Sequence, residues 1–385
     1  MLGAIIIEGH VQGLSNTRAL GEQGIPVWVI DKTNCIAQYS KYCQKFIKCP
    51  DFQAEEFTTF LIELAIRENI KDWLLIPSND HAVFAIAKNK EKLSDFYRFV
   101  VSDLSIIEKI YDKGNLLAVS KKVNVPFPKT QFFHSSDELL STEIEFPVLT
   151  KGRTGLNFYK SLKKKAFLAN NADELKEQLE LISGKIPLNQ TFTQELIPFD
   201  GKNKTISFTA FCVEGEIKTH WSGVKLREHP IQFGTATFTQ SVSVKELFDK
   251  STKILSELNY SGICEVEFLF DPRDNQYKLI EINARSWLWV GLAKKCGVNY
   301  AKILYDFVNN KSIDYPRSYK LGEYWINPIT DFIYSWIGII KGKVKMKDYF
   351  KTLFFAKKNN ALFEKGDWKP GFMYFMKTID FINKR

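Results

Sequence analysis

The stretch from Ile263 to Trp287, ICEVEFLFDPRDNQYKLIEINARSW, most narrows what this chain can become. Its first arm alternates, with Val266, Phe268 and Phe270 on one side and Glu265, Glu267 and Leu269 on the other, the two-residue period of a strand. A turn dense in loop formers follows, Asp271 to Gln276. The second arm then places Ile280, Ile282 and Ala284 on one face and Leu279, Glu281, Asn283 and Arg285 on the other. A hairpin symmetric about Asp274 sets Glu267 opposite Glu281 and Glu265 opposite Asn283, with Arg285 further along the same face. Opposed carboxylates repel unless a cation lies between them. The all-oxygen set of Glu267, Glu281 and Asn283 suits a hard ion, Mg²⁺ or alternatively Mn²⁺. A solvated face balanced by Lys278 and Arg285 would need no metal, and a one-residue slip in register would break the pairing.

This E…EIN-R pattern resembles the metal-binding end of the ATP-grasp ligases, in which a Glu on one strand and a Glu-x-Asn pair on the next hold Mg²⁺ under the nucleotide triphosphate. Further matches occur in the order that family requires, over residues 1 to 310. Asp112-Lys113 before a Val-Pro-x-Pro segment resembles the opening of the nucleotide-binding domain, with Lys113 as the phosphate lysine. Phe146 to Lys151 reads as a strand delivering a second nucleotide lysine. The glycine-rich loop expected next has only Gly152 and Gly155, and its closure over the site would exclude water. Gln194-Glu195-Leu196-Ile197-Pro198 resembles the hinge between two subdomains. There the resemblance implies adenine contacts from Glu195 and the backbone of Leu196 and Ile197, and a ribose contact from Asp200. It also implies that Arg227 receives a substrate carboxylate and that Arg285 stabilises the transferring group. His229 reads either as a general base or as a structural histidine before a proline.

The rest of the chain supplies the frame. With 385 residues, two or three domains are expected. AIIIEG, a helix ending at Gly24 and PVWVID begin a parallel α/β domain, continued by a helix from Phe52 to Glu68, the strand WLLIP, a helix from His81 to Lys92 and the strand FYRFVV. Ser105 and Glu108 have the spacing of a capping box for the next helix. The expected fold is α/β: a Rossmann-like parallel-sheet domain at 1–104, then a two-subdomain α+β ATP-grasp domain at 105–310, divided near 195, and a basic, aromatic extension at 311–385. Asp31 at the end of the second strand also suits a dinucleotide-binding unit, but Gly9-His-Val-Gln-Gly13 lacks its three-glycine spacing.

Charge is uneven. Residues 341–385 hold twelve Lys or Arg against four Asp or Glu, so that tail carries nearly all of the formal net charge of +9. Its Phe, Trp and Tyr side chains either pack against the catalytic domains, lie on an anionic membrane surface or bind nucleic acid, the last not expected. Asp367-Trp-Lys-Pro370 resembles the end of some ligases of cell-envelope pathways. The six cysteines form no C-x-x-C and pair with no histidine at zinc spacing, and MLGAIIIEGH is no secretory signal; both point to a cytoplasmic protein. Taken together, the resemblance implies an ATP- and Mg²⁺-dependent ligase that activates a carboxylate as an acylphosphate for attack by an amine, joining an amino acid to a small molecule or a cell-envelope or polysaccharide precursor, with a homo-oligomer as an option. A non-catalytic ATP-binding adaptor and a nicotinamide-dependent oxidoreductase are the alternatives.

Overall fold

In the computed structural model, which describes residues 2–135, 138, 145–198, 203–229, 234–355 and 358–383, short apolar runs at the N-terminal end build a parallel sheet. Its strands are β1 (Ala4–Ile7), β2 (Val27–Asp31), β3 (Cys43–Lys48), β4 (Trp73–Pro77) and β5 (Tyr97–Arg98), in the order β3-β2-β1-β4-β5. All pairings are parallel. All four β1 residues are buried, as expected where helices cover both faces. Three local expectations are corrected. The edge strand β3, whose residues are half-exposed and include Lys45 and Lys48, was not anticipated because it lacks an apolar run. The long helices are shorter or divided, at Glu56–Arg67, Asp80–Lys88 and Lys90–Ser94. The helix leading to Lys113 breaks at Asp112, giving Leu104–Tyr111 and Lys113–Lys122, because the Asp112 carboxylate accepts from the Asn115 N–H and caps the second helix. Ser105 lies inside the first of these helices, so it caps nothing.

The second sheet is antiparallel, with β6 (Thr130–Gln131), β7 (Val148–Gly152), β8 (Phe167–Ala169) and β9 (Thr191–Glu195) in the order β6-β9-β7-β8. The helices Gly155–Leu162 and Ala172–Ser183 accompany it, and Asn171 caps the latter by accepting from the Glu174 N–H. It has its own small core, around Val148, Phe158, Leu175, Leu179 and Ile182.

The third sheet contains β10 (Thr205–Val213), β11 (Glu216–His229), β12 (Thr235–Ser241), β13 (Gly262–Asp271), β14 (Gln276–Asn283), β15 (Tyr324–Ile326) and β16 (Lys358–Asn360), ordered β14-β13-β10-β11-β12-β15-β16. Glu214 and Gly215 both take positive φ in the β10–β11 turn, the conformation a tight hairpin favours. The strand β12 pairs antiparallel with β11. Two cores join this sheet to the first. One links Ile5, Phe57 and Leu75 with Phe208, Leu255, Val266 and Leu279. The other links Ile6, Val11 and Val29 with Trp221, Trp287, Trp289 and Trp325.

Residues beyond 310 contribute the strands β15 and β16 as well as buried Trp325, Ala361 and Leu362, so part of the tail belongs to the body of the protein. Arg18, 4% exposed, donates to Asp367 Oδ2 at 2.8 Å and to the carbonyls of Ala361 and Leu362. The same carboxylate accepts from Ser40 Oγ and the Lys41 N–H. Asp367→Ala would leave the buried guanidinium with only the more distant Glu364 carboxylate, at 3.4 Å, to answer its charge. The expected cost is about 3–5 kcal/mol in chemical denaturation, and a change within 1 kcal/mol, roughly that of a surface substitution, would refute this account of the link.

Candidate functional site

A bulge sets the acidic face of the β13–β14 hairpin. Asp271 pairs with Gln276 and Phe268 with Leu279, but the register shifts between Glu267 and Phe268, after which Glu267 faces Glu281 and Glu265 faces Asn283. The expected pairing therefore holds, though by a different route from a symmetric turn. The extra residue is Ile280: Leu279, expected on the acidic face, joins the core with Val266 and Phe268, while Glu281 and Asn283 keep theirs.

Two lysines answer the repulsion between these acids. Lys225 Nζ donates to both oxygens of Glu267 at 2.8 Å, and Lys113 Nζ donates to Glu281 Oε2 at 3.0 Å. The Lys113 ammonium pulls the Glu281 carboxyl down to about 2. Burial and the neighbouring Glu267 push Glu265 up to about 8, although it accepts from Ser207 Oγ at 2.7 Å and from Asn283 Nδ2 at 3.1 Å. Lys225 and Glu265 were not among the expected site residues; the alternation of β11 and β13 was the signal available for both.

Lys151, on β7, approaches from the second sheet. Burial and the nearby Lys113 lower its ammonium to about 8, and no acceptor pairs with it among the described residues. The glycine-poor loop expected after it is absent: only Arg153 and Thr154 separate β7 from the helix Gly155–Leu162. Arg153 instead turns back to Asp112 at 2.9 Å, and its backbone carbonyl accepts from the Lys113 N–H. It also lies across Gly114, where a Cβ would sit 2.8 Å from the Arg153 Nε. Glu195 is buried at the hinge, where its carboxylate accepts from the Lys129 N–H at 2.8 Å and meets Arg273 at 3.0 Å and Lys278 at 3.4 Å. Its side chain thus fastens the second sheet to the β13–β14 turn. The Leu196 N–H donates to the Pro147 carbonyl, Ile197 is buried, and Asp200 lies outside the described residues.

Arg285 reaches from the hairpin to the parallel sheet. It donates to Asp80 Oδ1 at 2.7 Å and to Asn283 Oδ1 at 3.1 Å. Asp80 follows β4 and Glu8 follows β1, the two strands at which the sheet order reverses, where open parallel sheets present a crevice. Burial and Asp31 raise the Glu8 carboxyl to about 7. Neither acid was singled out from the sequence, although the strand-end rule points to both. Asp31 accepts from the Gly9 N–H at 2.9 Å and so ties the end of β2 to the turn after β1. Arg227 also departs from expectation: its guanidinium forks onto Asp331 at 2.8 and 2.7 Å and donates to Thr352. It links β11 to the C-terminal helices rather than offering a free fork to a substrate. His229 stacks on Tyr334.

No group of three or more His, Cys, Asp or Glu side chains is gathered as a metal site among the described residues, so a hard ion here would rest on two acids and the Asn283 amide. Glu267 and Glu281 face one another, and an ion between them would replace the positive charge the two lysines now supply.

A site of opposed acids on one antiparallel sheet, faced by lysines from a helix N-terminus and from a second sheet, is that of an ATP-grasp fold. Residues 227–303 match the family described as carbamoyl-phosphate synthase L chain, ATP binding domain. The D-aspartate ligase of Enterococcus faecium (strain Aus0004) is 26% identical over 259 residues, covering 63% of this chain and 60% of that protein, less than two thirds of its length. The N5-carboxyaminoimidazole synthetase of Staphylococcus aureus superposes with a TM-score of 0.64 at 18% identity, covering 84% of this chain and 81% of the other. The biotin carboxylase domain of the Hydrogenobacter thermophilus 2-oxoglutarate carboxylase, a dimer solved with MgADP, gives 0.65 at 17% identity, over 84% and 73%. The chain has the ATP-grasp fold, and its residues 227–303 match an ATP-binding domain of that type.

Lys151 yields a pH prediction. Its charge is lost in the free protein as pH rises through about 8, and a bound polyphosphate would favour the charged form. ATP affinity is therefore expected to fall above that pH, with proton uptake on binding visible by calorimetry in buffers of different ionisation enthalpy. Lys151→Met should weaken binding by about 10- to 100-fold, the range for a charged hydrogen bond, and abolish the uptake. Unchanged uptake in the variant would refute the assignment.

Proposed function

We propose that this protein is an ATP-dependent ligase that activates a small-molecule carboxylate as an acylphosphate for attack by an amine. The observation that carries this reading is Lys113 paired with Glu281, which opposes Glu267, with Lys151 of the second sheet close enough to feel the charge of both Lys113 and Glu281. The similarity to a D-aspartate ligase supports an amino acid as one substrate.

In this reading a substrate carboxylate oxygen attacks the γ-phosphorus of ATP, the bond to the β-phosphate oxygen breaks, and ADP leaves. The amine then attacks the acyl carbon, phosphate departs and the amine gives up a proton. Mg²⁺, or Mn²⁺ in its place, would be held by Glu267, Glu281 and Asn283 and would neutralise phosphate charge. Lys113 and Lys151 orient the polyphosphate, so that positioning and electrostatics lower the barrier. The backbone at Glu195 to Ile197 borders the base, and Asp200 is retained as the ribose contact. Arg285, held by Asp80, offers its charge to the transferring group or the acylphosphate. The crevice at Glu8 and Asp80 provides negative charge for an ammonium group. Shielding from water falls to the second sheet as a unit, since no loop follows Lys151. Supply of ATP and Mg²⁺ places the reaction in the cytoplasm. The domain limits at 104 and 310, with the division near 195, are kept as the working units of this enzyme.

The test is ADP and phosphate release from Mg·ATP with D- and L-amino acids supplied singly and in pairs, followed by mass spectrometry of the product. Release requiring an acid, together with a condensed product requiring an amine, is expected. Glu281→Gln should abolish turnover while circular dichroism and melting remain those of the parent. ATP binding without turnover in any pool would favour the adaptor, and full activity of Glu281→Gln would remove the metal assignment.

A further inference from the structure

We infer that the last helix, Lys369–Asn383, seats the protein on an anionic membrane surface, lying along the headgroups with one apolar stripe inserted. The stripe consists of Trp368, just before the helix, then Phe372, Phe375 and Met376, exposed by 69%, 57%, 46% and 39%. Spacings of four, seven and eight residues from the first put these side chains on one face. Ten of the eighteen exposed large apolar residues in the described chain lie beyond residue 310, its last fifth, so the exposure is concentrated.

The other face of the helix is already used. A Cβ on Gly371 would come within 2.5 Å of the Phe363 ring, the Tyr374 hydroxyl hydrogen-bonds to Thr330 Oγ1 at 2.9 Å, and Lys377 donates to the Asn34 carbonyl. Asp367, two residues before the helix, is the buried partner of Arg18. The helix is thus fixed to the body with its apolar stripe outward.

Charge selects the occupant. Lys365 and Lys369 are exposed beside Trp368, within a tail that carries twelve basic residues against four acidic ones. A second copy of the chain would bring two such tails together and be repelled, whereas anionic headgroups attract them, at about 1 kcal/mol per basic residue near the surface. The helix is in-plane, since no helix among the described residues is long and apolar enough to cross a membrane. This inference stands independently of the ligase reading.

The test is cosedimentation of the full chain with vesicles of phosphatidylcholine alone and of equal parts phosphatidylcholine and phosphatidylglycerol. Binding to the mixed vesicles, little to the neutral ones, and release by salt are expected. Phe372→Ser with Phe375→Ser should weaken binding by roughly 150-fold or more, given about 1.5–3 kcal/mol for each buried apolar side chain. Lys365→Gln with Lys369→Gln should weaken it about 30-fold by the charge contribution above. Circular dichroism and melting of either variant should match the parent, which shows that the body remains folded. Equal binding to both vesicles, no binding to either, or a dimer in sedimentation that the phenylalanine variant dissociates would each overturn the proposal.

Discussion

Two carboxylates held opposite one another on neighbouring strands create the requirement that organises this molecule. At a separation of about 5 Å and an effective dielectric of about 20, their repulsion is roughly 3 kcal/mol. The hairpin cannot relieve it alone, because the same alternation that opposes Glu267 and Glu281 places Val266, Phe268 and Ile282 in the core. Relief comes from Lys225 two strands away and from Lys113 at the start of a helix between the first two sheets. The acids therefore tie separate stretches of chain to one point, through the two lysines that neutralise them.

The cores show which parts respond together. The parallel sheet and the seven-stranded sheet share two cores and form one body. The four-stranded sheet has its own core and meets that body through polar contacts, chiefly Glu195 with Arg273 and Lys278, and Arg153 with Asp112. Lys151 rides on this smaller unit and Lys113 on the larger. A ligand that touched both would bridge two units joined by polar contacts rather than by a shared core.

Much of this was legible in the residues. Strand alternation gave the hairpin and its facing acids, and apolar runs gave β1, β2 and β4. What escaped detection lacked a periodic signal. β3 is a half-exposed edge strand, and the Ile280 bulge is invisible to a count of alternating residues. Lys225 and Asp80 acquire meaning only once distant segments converge, at separations of 42 residues from Glu267 and 205 from Arg285. Arg227 was misassigned for the same reason: nothing local announces that Asp331, 104 residues on, takes its guanidinium. The resemblance to the ATP-grasp ligases rested on the order of short matches, and order survives such local errors.

The Arg18–Asp367 pair has a consequence for synthesis. Arg18 is made early, but its buried partner follows 349 residues later, which at about 5–20 residues per second is a delay of roughly 20 to 70 s on the ribosome. Trp287, Trp289, Trp325 and Leu362, which complete the core on that side of the first sheet, also come late. The earliest-made sheet is thus among the last to be sealed, and the nascent chain carries an open apolar face through most of its translation.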